Sequence, residues 1–86
     1  MITLYEVILS NKASKQLEKL EKEDQIRIRV ALERIRIRPE AYITKLVGRP
    51  LYKFRVGDYR VLMDLDKGKL IILVIKIGHR KNIYNE

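Results

Sequence analysis

The most constraining feature of the sequence is a pair of short segments in which apolar and polar residues alternate. They are LYKFRV (51–56) and YRVLMDL (59–65), and only Gly57 and Asp58 separate them. An alternation with a period of two predicts strands that turn one face to a core. A two-residue loop that begins with glycine predicts a tight hairpin between the two strands.

The hairpin register predicts that positive charge gathers on one face. If Val56 pairs with Tyr59, then Arg55 lies directly opposite Arg60, and Lys53 shares the face of Arg55. The side chains expected to turn the other way, toward the core, are Phe54, Val56, Val61 and Met63. Like charges directly across a strand pair are destabilising by roughly a few tenths of a kcal/mol. Folding alone gives no reason for this arrangement, whereas a bound polyanion does.

Two helices are predicted between an opening strand and the hairpin. Residues 2–9, ITLYEVIL, are β-rich and mostly apolar, which indicates a strand. Leucines at helical spacing follow Ser10 and Asn11, and either residue can cap a helix. Residues 23–38 alternate locally like a strand, but the run contains neither glycine nor proline and is long for one. We interpret it as a second helix, antiparallel to the first, that stops before Pro39.

The remaining segments predict a connection and a final strand. Residues 39–50, PEAYITKLVGRP, form the connection. Residues 70–77, LIILVIKI, are almost wholly apolar, which predicts a central strand buried on both faces. The order β-α-α-β-β-β predicts one α+β domain over residues 1–86, with a helical hairpin on one face of a small, mostly antiparallel sheet.

Charge narrows the class of partner. The net charge is +8, and the pI is near 9.9. Residues 41–86 carry ten Lys or Arg against four Asp or Glu, whereas residues 1–40 carry nine against seven. The excess therefore lies in the part that contains the hairpin, and it favours a polyanionic partner.

Composition also argues against disulfide-bonded, metal-binding, membrane-spanning and secreted proteins. The absence of cysteine excludes disulfides and thiolate metal sites. No segment has the length and apolar purity of a membrane span, and the start lacks the basic leader of a signal peptide. Asp64 and Asp66 supply too few oxygen ligands for a hard cation. We therefore expect a cytoplasmic protein that uses no metal and no cofactor.

The segment after the last strand adds candidates to the hairpin face. If that strand lies beside the hairpin, Gly78 lets the chain turn and Arg80 can approach the three cations. Tyr84 follows a few residues later. Guanidinium groups bind phosphate in a bidentate manner, and an aromatic ring stacks on an unpaired base. Four cations and a phenol predict an RNA site, while His79 is expected to make structural hydrogen bonds.

The chain resembles the RelE/ParE superfamily of toxins, and within it the RelE-like mRNA interferases of type II toxin–antitoxin systems. The resemblance covers nearly the whole chain and rests on the opening strand, the helical hairpin, KLVGRP, YKFRVGDYRVL and IGHRKNIY. It implies a RelE-like fold and a metal-independent endoribonuclease that inhibits translation by cleaving mRNA on the ribosome.

The resemblance also implies site residues. Basic residues that the family needs for cleavage match Lys53 and Arg55, and the arginine of its YR motif is Arg60. The arginine after the last strand is Arg80, and the tyrosine of the tail is Tyr84. The candidates for further RNA contacts are Lys45, Arg49, His79 and Lys81.

The implied reaction is attack of the RNA's own 2′-hydroxyl on the adjacent phosphate. Lys53 is the candidate base, because the neighbouring arginines disfavour its ammonium form. Arg60 and Arg80 suit charge stabilisation at the phosphate, and Arg80 or a ribosomal group would assist the leaving oxygen. Tyr84 would orient the nucleotide. A site of this kind depends on the ribosome to hold mRNA in a reactive geometry.

The implied partners are a cognate RelB-like antitoxin, the ribosome and mRNA, with promoter DNA bound only through the antitoxin complex. No membrane partner is expected. Two alternatives stay open at the level of sequence. One is a ParE-type inhibitor of DNA gyrase on the same scaffold, and the other is a nucleic-acid-binding module without catalysis.

Overall fold

The helices and strands of the chain form two layers in a computed structural model that describes residues 4–81. The elements are β1 (Glu6–Leu9), α1 (Asn11–Glu18), α2 (Lys22–Arg34), a short 3-10 helix (Pro39–Ala41), β2 (Thr44–Lys45), β3 (Tyr52–Val56), β4 (Tyr59–Asp66) and β5 (Ile71–His79). The sheet order is β1-β5-β4-β3-β2, with β1 parallel to β5 and all other pairs antiparallel. The predicted α+β order is confirmed.

The hairpin has the register that its loop predicts. Val56 pairs with Tyr59, and Arg55 lies opposite Arg60. Gly57 takes φ +57°, a left-handed conformation that glycine adopts without strain. The side chains predicted to face the core are all buried, namely Phe54, Val56, Val61 and Met63. The prediction of the hairpin and of its two faces is confirmed.

The core fills the space between the two helices and one face of the sheet. Leu17 of α1 and Ile28 of α2 are fully buried against Met63, Ile72 and Ile77 of the central strands. Full burial of one such side chain stabilises the fold by about 1.5–3 kcal/mol. Within residues 4–81 no helix lies against the other face, which we call the outer face, and no helix is long and apolar enough to span a membrane.

The second helix is shorter than predicted. It ends at Arg34, whereas the sequence predicted helix to residue 38. The main chain of Arg36 bonds instead to the residue before β1, because the Tyr5 N–H donates to the Arg36 carbonyl at 2.9 Å. The Arg36 Nε also donates to the Tyr5 carbonyl at 2.7 Å. These two bonds draw the chain out of the helix before Pro39 is reached.

Two further expectations are corrected in the sheet. Residues 39–50 were predicted to be only a connection, but Thr44 and Lys45 form β2 and pair with Lys53 and Tyr52. The last strand does have neighbours on both sides, yet its outer face is only partly buried, since Lys76 on that face is buried but Leu73 is not. Leu73 on the outer face is 36% exposed, because no helix of the described chain covers that face.

The first helix is joined to β5 through its capping residue. The Ser10 hydroxyl accepts a hydrogen bond from the Ala13 N–H at 3.0 Å and donates one to the Ile75 carbonyl at 2.9 Å. One side chain therefore both caps α1 and ties the helix to the sheet.

Replacing Ser10 with alanine is expected to lower the free energy of unfolding by about 1–2 kcal/mol, because both hydrogen bonds are lost. Urea unfolding followed by circular dichroism measures this. Ser14→Ala, within the same helix, is the matched control and should change stability little, since alanine is the better helix former. Equal stability of Ser10→Ala and the wild type would contradict the assigned cap.

Candidate nucleic-acid interface

The outer face of the hairpin carries the predicted cluster of positive charge. Lys53 and Arg55 alternate along β3 and are exposed, so their side chains project about 7 Å apart on one face. Arg60 of β4 lies directly opposite Arg55, at about 5 Å between the two Cβ atoms. We call this surface, Lys53, Arg55 and Arg60 together, the cation face.

The position of Arg60 is restrained by the hairpin turn. Its Nη1 donates to the Gly57 carbonyl at 3.2 Å and to the Tyr59 carbonyl at 3.1 Å. The side chain is half-buried as a result. A guanidinium has five N–H donors in a fixed plane, so the remaining donors stay available for an anion. Arg60 is therefore a held donor group on the cation face.

Arg80 lies beside the same turn. Its N–H donates to the Asp58 carbonyl at 2.8 Å, which keeps the main chain after β5 against the tip of the hairpin. Gly78, the residue opposite Arg60, has no side chain to project from the outer face. Within residues 4–81, no Asp or Glu forms an ion pair with Arg80 or with any residue of the cation face.

His79 lies on the other side of the sheet. It pairs with Tyr59, and the two rings meet edge to face with centroids 5.8 Å apart. The His79 Nδ1 accepts a hydrogen bond from the Lys81 N–H at 3.2 Å. The structure therefore separates His79 from the cation face, and the contacts that it shows are structural ones.

The other predicted residues are spread around the hairpin. Lys45 pairs with Tyr52 in β2, so the β2 residue opposite Lys53 is Thr44 and not Lys45. Arg49 is exposed in the connection before β3, at the end of that strand away from the turn. Lys81 follows Arg80 and is exposed. Tyr84 lies outside the described residues.

One cation of the outer face was missed at the level of sequence. Lys76 of β5 pairs with Leu62 of β4, two positions along from Arg60, and is buried. Its position inside the apolar run LIILVIKI suggested no particular face. The structure places Lys76 on the same side of the sheet as Arg60.

A groove borders the cation face where β3 has an open edge. β2 pairs with Tyr52 and Lys53 only, so β3 has no strand partner on that side from Phe54 onward. The groove between α2 and this edge has a volume of about 540 Å³. Its lining includes the apolar side chains of Val30 and Phe54 and the ring of Tyr42. It also includes three arginines, Arg27, Arg34 and Arg55. Arg55 thus belongs to both surfaces, and no carboxylate lines the α2–β3 groove.

The helix side of the hairpin is held by a partly buried hydrogen bond. The Tyr59 hydroxyl donates to the Asp24 Oδ2 at 3.1 Å, and Asp24 also lies 3.8 Å from the Arg27 guanidinium. Burial raises the pKa of the Tyr59 phenol above 10.0, and the hydrogen bond to Asp24 raises that pKa further. The first turn of α2 is thereby joined to the strand that carries Arg60.

Comparison with known structures places the fold. The chain is similar to the RelE–RelB complex of Pyrococcus horikoshii OT3, with 27% identity, 92% of this chain and 98% of that chain covered, and a TM-score of 0.77. It is similar to the intact RelBE toxin–antitoxin complex of E. coli, with 26% identity, coverage of 87% and 95%, and a TM-score of 0.75. The RelBE2 complex of Mycobacterium tuberculosis gives 21% identity, coverage of 90% and 99%, and a TM-score of 0.81. A search of curated protein sequences found no significant match.

Fold and comparisons together define a small toxin of a toxin–antitoxin system, in the RelE/ParE superfamily. The chain belongs to the family described as the ParE toxin of the type II toxin–antitoxin system parDE, whose model matches residues 7–84. The suspected superfamily is confirmed.

Tyr59→Phe is expected to lower the free energy of unfolding by about 1 kcal/mol at pH 8, because the hydrogen bond to Asp24 is lost. The folded-state pKa of Tyr59 is raised, so this stabilisation is present below pH 10 and declines as the pH rises through that pKa. The stability gap between wild type and variant should therefore shrink above pH 10 in urea unfolding. Tyr42→Phe, at an exposed tyrosine, is the control, and a pH-independent gap for Tyr59→Phe would contradict the assignment.

Proposed function

We propose that the protein is a ribosome-dependent endoribonuclease that cleaves mRNA. The observation that carries the proposal is the cation face together with Arg80: four basic residues around one hairpin, none of which forms an ion pair with a carboxylate within residues 4–81. An RNA backbone supplies the missing negative charge. The 26–27% identity to solved RelE toxins supports the same conclusion.

The proposed reaction follows from these side chains. Lys53 accepts the proton of the 2′-hydroxyl, the 2′-oxygen bonds to the adjacent phosphorus, and the bond from phosphorus to the 5′-oxygen breaks. Arg60 and Arg80 stabilise the charge that develops on the phosphate oxygens. A water polarised by Arg80, or a ribosomal group, protonates the leaving 5′-oxygen. The products are a 2′,3′-cyclic phosphate and a 5′-hydroxyl end, and Tyr84 is the candidate to orient the nucleotide.

The restraint on Arg60 supports its role in this scheme. A guanidinium that already lies over the turn loses little conformational freedom when phosphate binds. The side chains of Lys53 and Arg55 are exposed, and no hydrogen bond within the described chain holds either side chain in place. The ribosome would therefore have to order the transcript and these two side chains together, so the proposal predicts slow cleavage without the ribosome.

Lys53→Ala and Arg80→Ala are each expected to reduce mRNA cleavage in a translation extract at least 100-fold, since each removes a proton acceptor or a charge-stabilising group. Lys69→Ala, at an exposed lysine of the β4–β5 turn, is the matched control and should cleave normally. Mapped 5′ ends and the cyclic-phosphate product identify the reaction. Wild-type cleavage by both site variants would overturn the assignment.

The alternative function is inhibition of DNA gyrase, which the name of the matching family favours. The same wild-type and variant proteins are tested in a gyrase supercoiling assay. Arrested supercoiling with intact mRNA would replace the nuclease proposal with the gyrase one. Salt-dependent RNA binding with neither activity would show a binding module without catalysis.

The proposed physiological partner is a RelB-like antitoxin, because the similar solved structures are toxin–antitoxin complexes. The α2–β3 groove suits an acidic amphipathic segment of such a partner. Its apolar lining takes aliphatic side chains, and Arg27, Arg34 and Arg55 oppose carboxylates. A segment bound there contacts Arg55 and so approaches the cation face from its edge.

Arg34→Glu is expected to weaken binding of the antitoxin encoded beside the toxin at least tenfold, because the reversed charge repels acidic side chains in the groove. Calorimetric titration measures this. Arg29→Glu makes the same change on α2 at an exposed residue that does not line the groove, and should bind normally. Equal affinities of the two variants would place the antitoxin elsewhere on the toxin.

A further inference from the structure

The last strand contains one residue more than its partner across the ladder. Leu62 of β4 pairs with Lys76, and Met63 pairs with Val74, so Ile75 has no counterpart in β4. Side chains of a strand alternate between the two faces, and one extra residue reverses that alternation. The bulge at Ile75 therefore decides which face each later residue of β5 occupies.

The reversal is visible in the burial of β5. Before the bulge, even-numbered residues face the core, as Ile72 and Val74 do. Beyond it the odd-numbered Ile77 faces the core, opposite Val61. Without Ile75 as an extra residue, residues 76, 78 and 80 would continue on the core side. The bulge instead places them in phase with Arg60, and it turns His79 toward the helices.

The same reversal appears on the hydrogen-bonding edge of β5 that faces β1. Before the bulge, the carbonyls of even-numbered residues point toward β1. Leu70 accepts a hydrogen bond from the Glu6 N–H, and Val74 accepts one from the Ser10 N–H, each at 2.8 Å. Beyond the bulge β1 has ended, and the main-chain N–H and carbonyl groups of odd-numbered β5 residues point to that same side. Side chains of the Ser10 cap and of α1 take over as their partners.

Two long-range hydrogen bonds make this replacement. The Ser10 hydroxyl donates to the Ile75 carbonyl at 2.9 Å, and the Gln16 Oε1 accepts from the Ile77 N–H at 2.7 Å. Ser10 is also needed as the cap of α1. Gln16 has no such second role, and its bond lies directly beyond the bulge. Its side chain therefore recognises the reversed phase of β5 specifically, because only that phase presents the Ile77 N–H to α1.

We propose that Gln16 is a positioning residue: it fixes the phase of β5 beyond the bulge and thereby holds Arg80 on the side of the cation face. The effect on cleavage rests on the proposed function, whereas the effect on β5 does not. Gln16 acts through the main chain of β5, which lies directly beside the strand that carries Arg60. No motif of the sequence singles it out.

The test compares Gln16→Met, which keeps the length of the side chain but removes the acceptor, with Gln16→Glu, which keeps an acceptor oxygen. Hydrogen exchange followed by NMR reports the N–H groups of Ile77 and Arg80, which bond to Gln16 and to Asp58. Gln16→Met should lose at least about tenfold protection at both amides, and Gln16→Glu should retain it. Lys15→Met, on the exposed side of the same helix, controls for the added methionine.

Activity provides the second readout. In the cleavage assay Gln16→Met should lower kcat at least tenfold with little change in KM, because Arg80 acts on the transition state, and Gln16→Glu should restore it. If the wild type cleaves no RNA, the proposed function fails while the exchange result still decides the role of Gln16. Gln16→Asn, whose amide is too short to reach Ile77, serves where Gln16→Met does not fold. Wild-type protection at Arg80 in whichever of these two variants folds overturns the proposal, even if the Ile77 amide alone exchanges faster.

Discussion

The helices of this chain cover only one face of its sheet, and this constraint decides where the charge lies. Ala13 and Leu17 of α1 and Ile28 of α2 pack against that face and are buried. A domain of this size buries only a modest fraction of its surface. The outer face of the hairpin is thereby left to Lys53 and Arg55, whose long side chains stay hydrated there at little cost. The side of the hairpin that the helices leave uncovered is therefore the side that carries the cation face.

Sequence reasoning succeeded where a local signal decides the structure. The dipeptide Gly57-Asp58 fixes the hairpin register, and that register alone places Arg55 opposite Arg60. It failed where hydrogen bonds between groups far apart in the sequence decide the structure. The end of α2 depends on bonds between Arg36 and Tyr5, and β2 is too short to show a period.

The same division between local and distant determinants holds for the residues of the candidate site. Lys53, Arg55 and Arg60 follow from one hairpin, whereas Arg80 and Lys76 depend on a bulge that a uniformly apolar strand conceals. In LIILVIKI every residue but one suits either face, so the sequence contains no local signal for the phase. His79 was expected to make structural contacts and was also named as a candidate RNA contact; the structure places it beside Tyr59, on the other side of the sheet from the cation face.

The arrangement of strands has a consequence for how the toxin is made. β5 follows every other strand in the chain, yet it lies between β1 and β4 and bonds to both. During synthesis, β1 and the helices emerge first and have no sheet to complete until β5 leaves the ribosomal tunnel. The loop that β1 and β5 close spans most of the chain, so this pairing has the largest loop-closure entropy cost in the sheet. The sheet of the nascent toxin therefore stays incomplete until β5 has been translated.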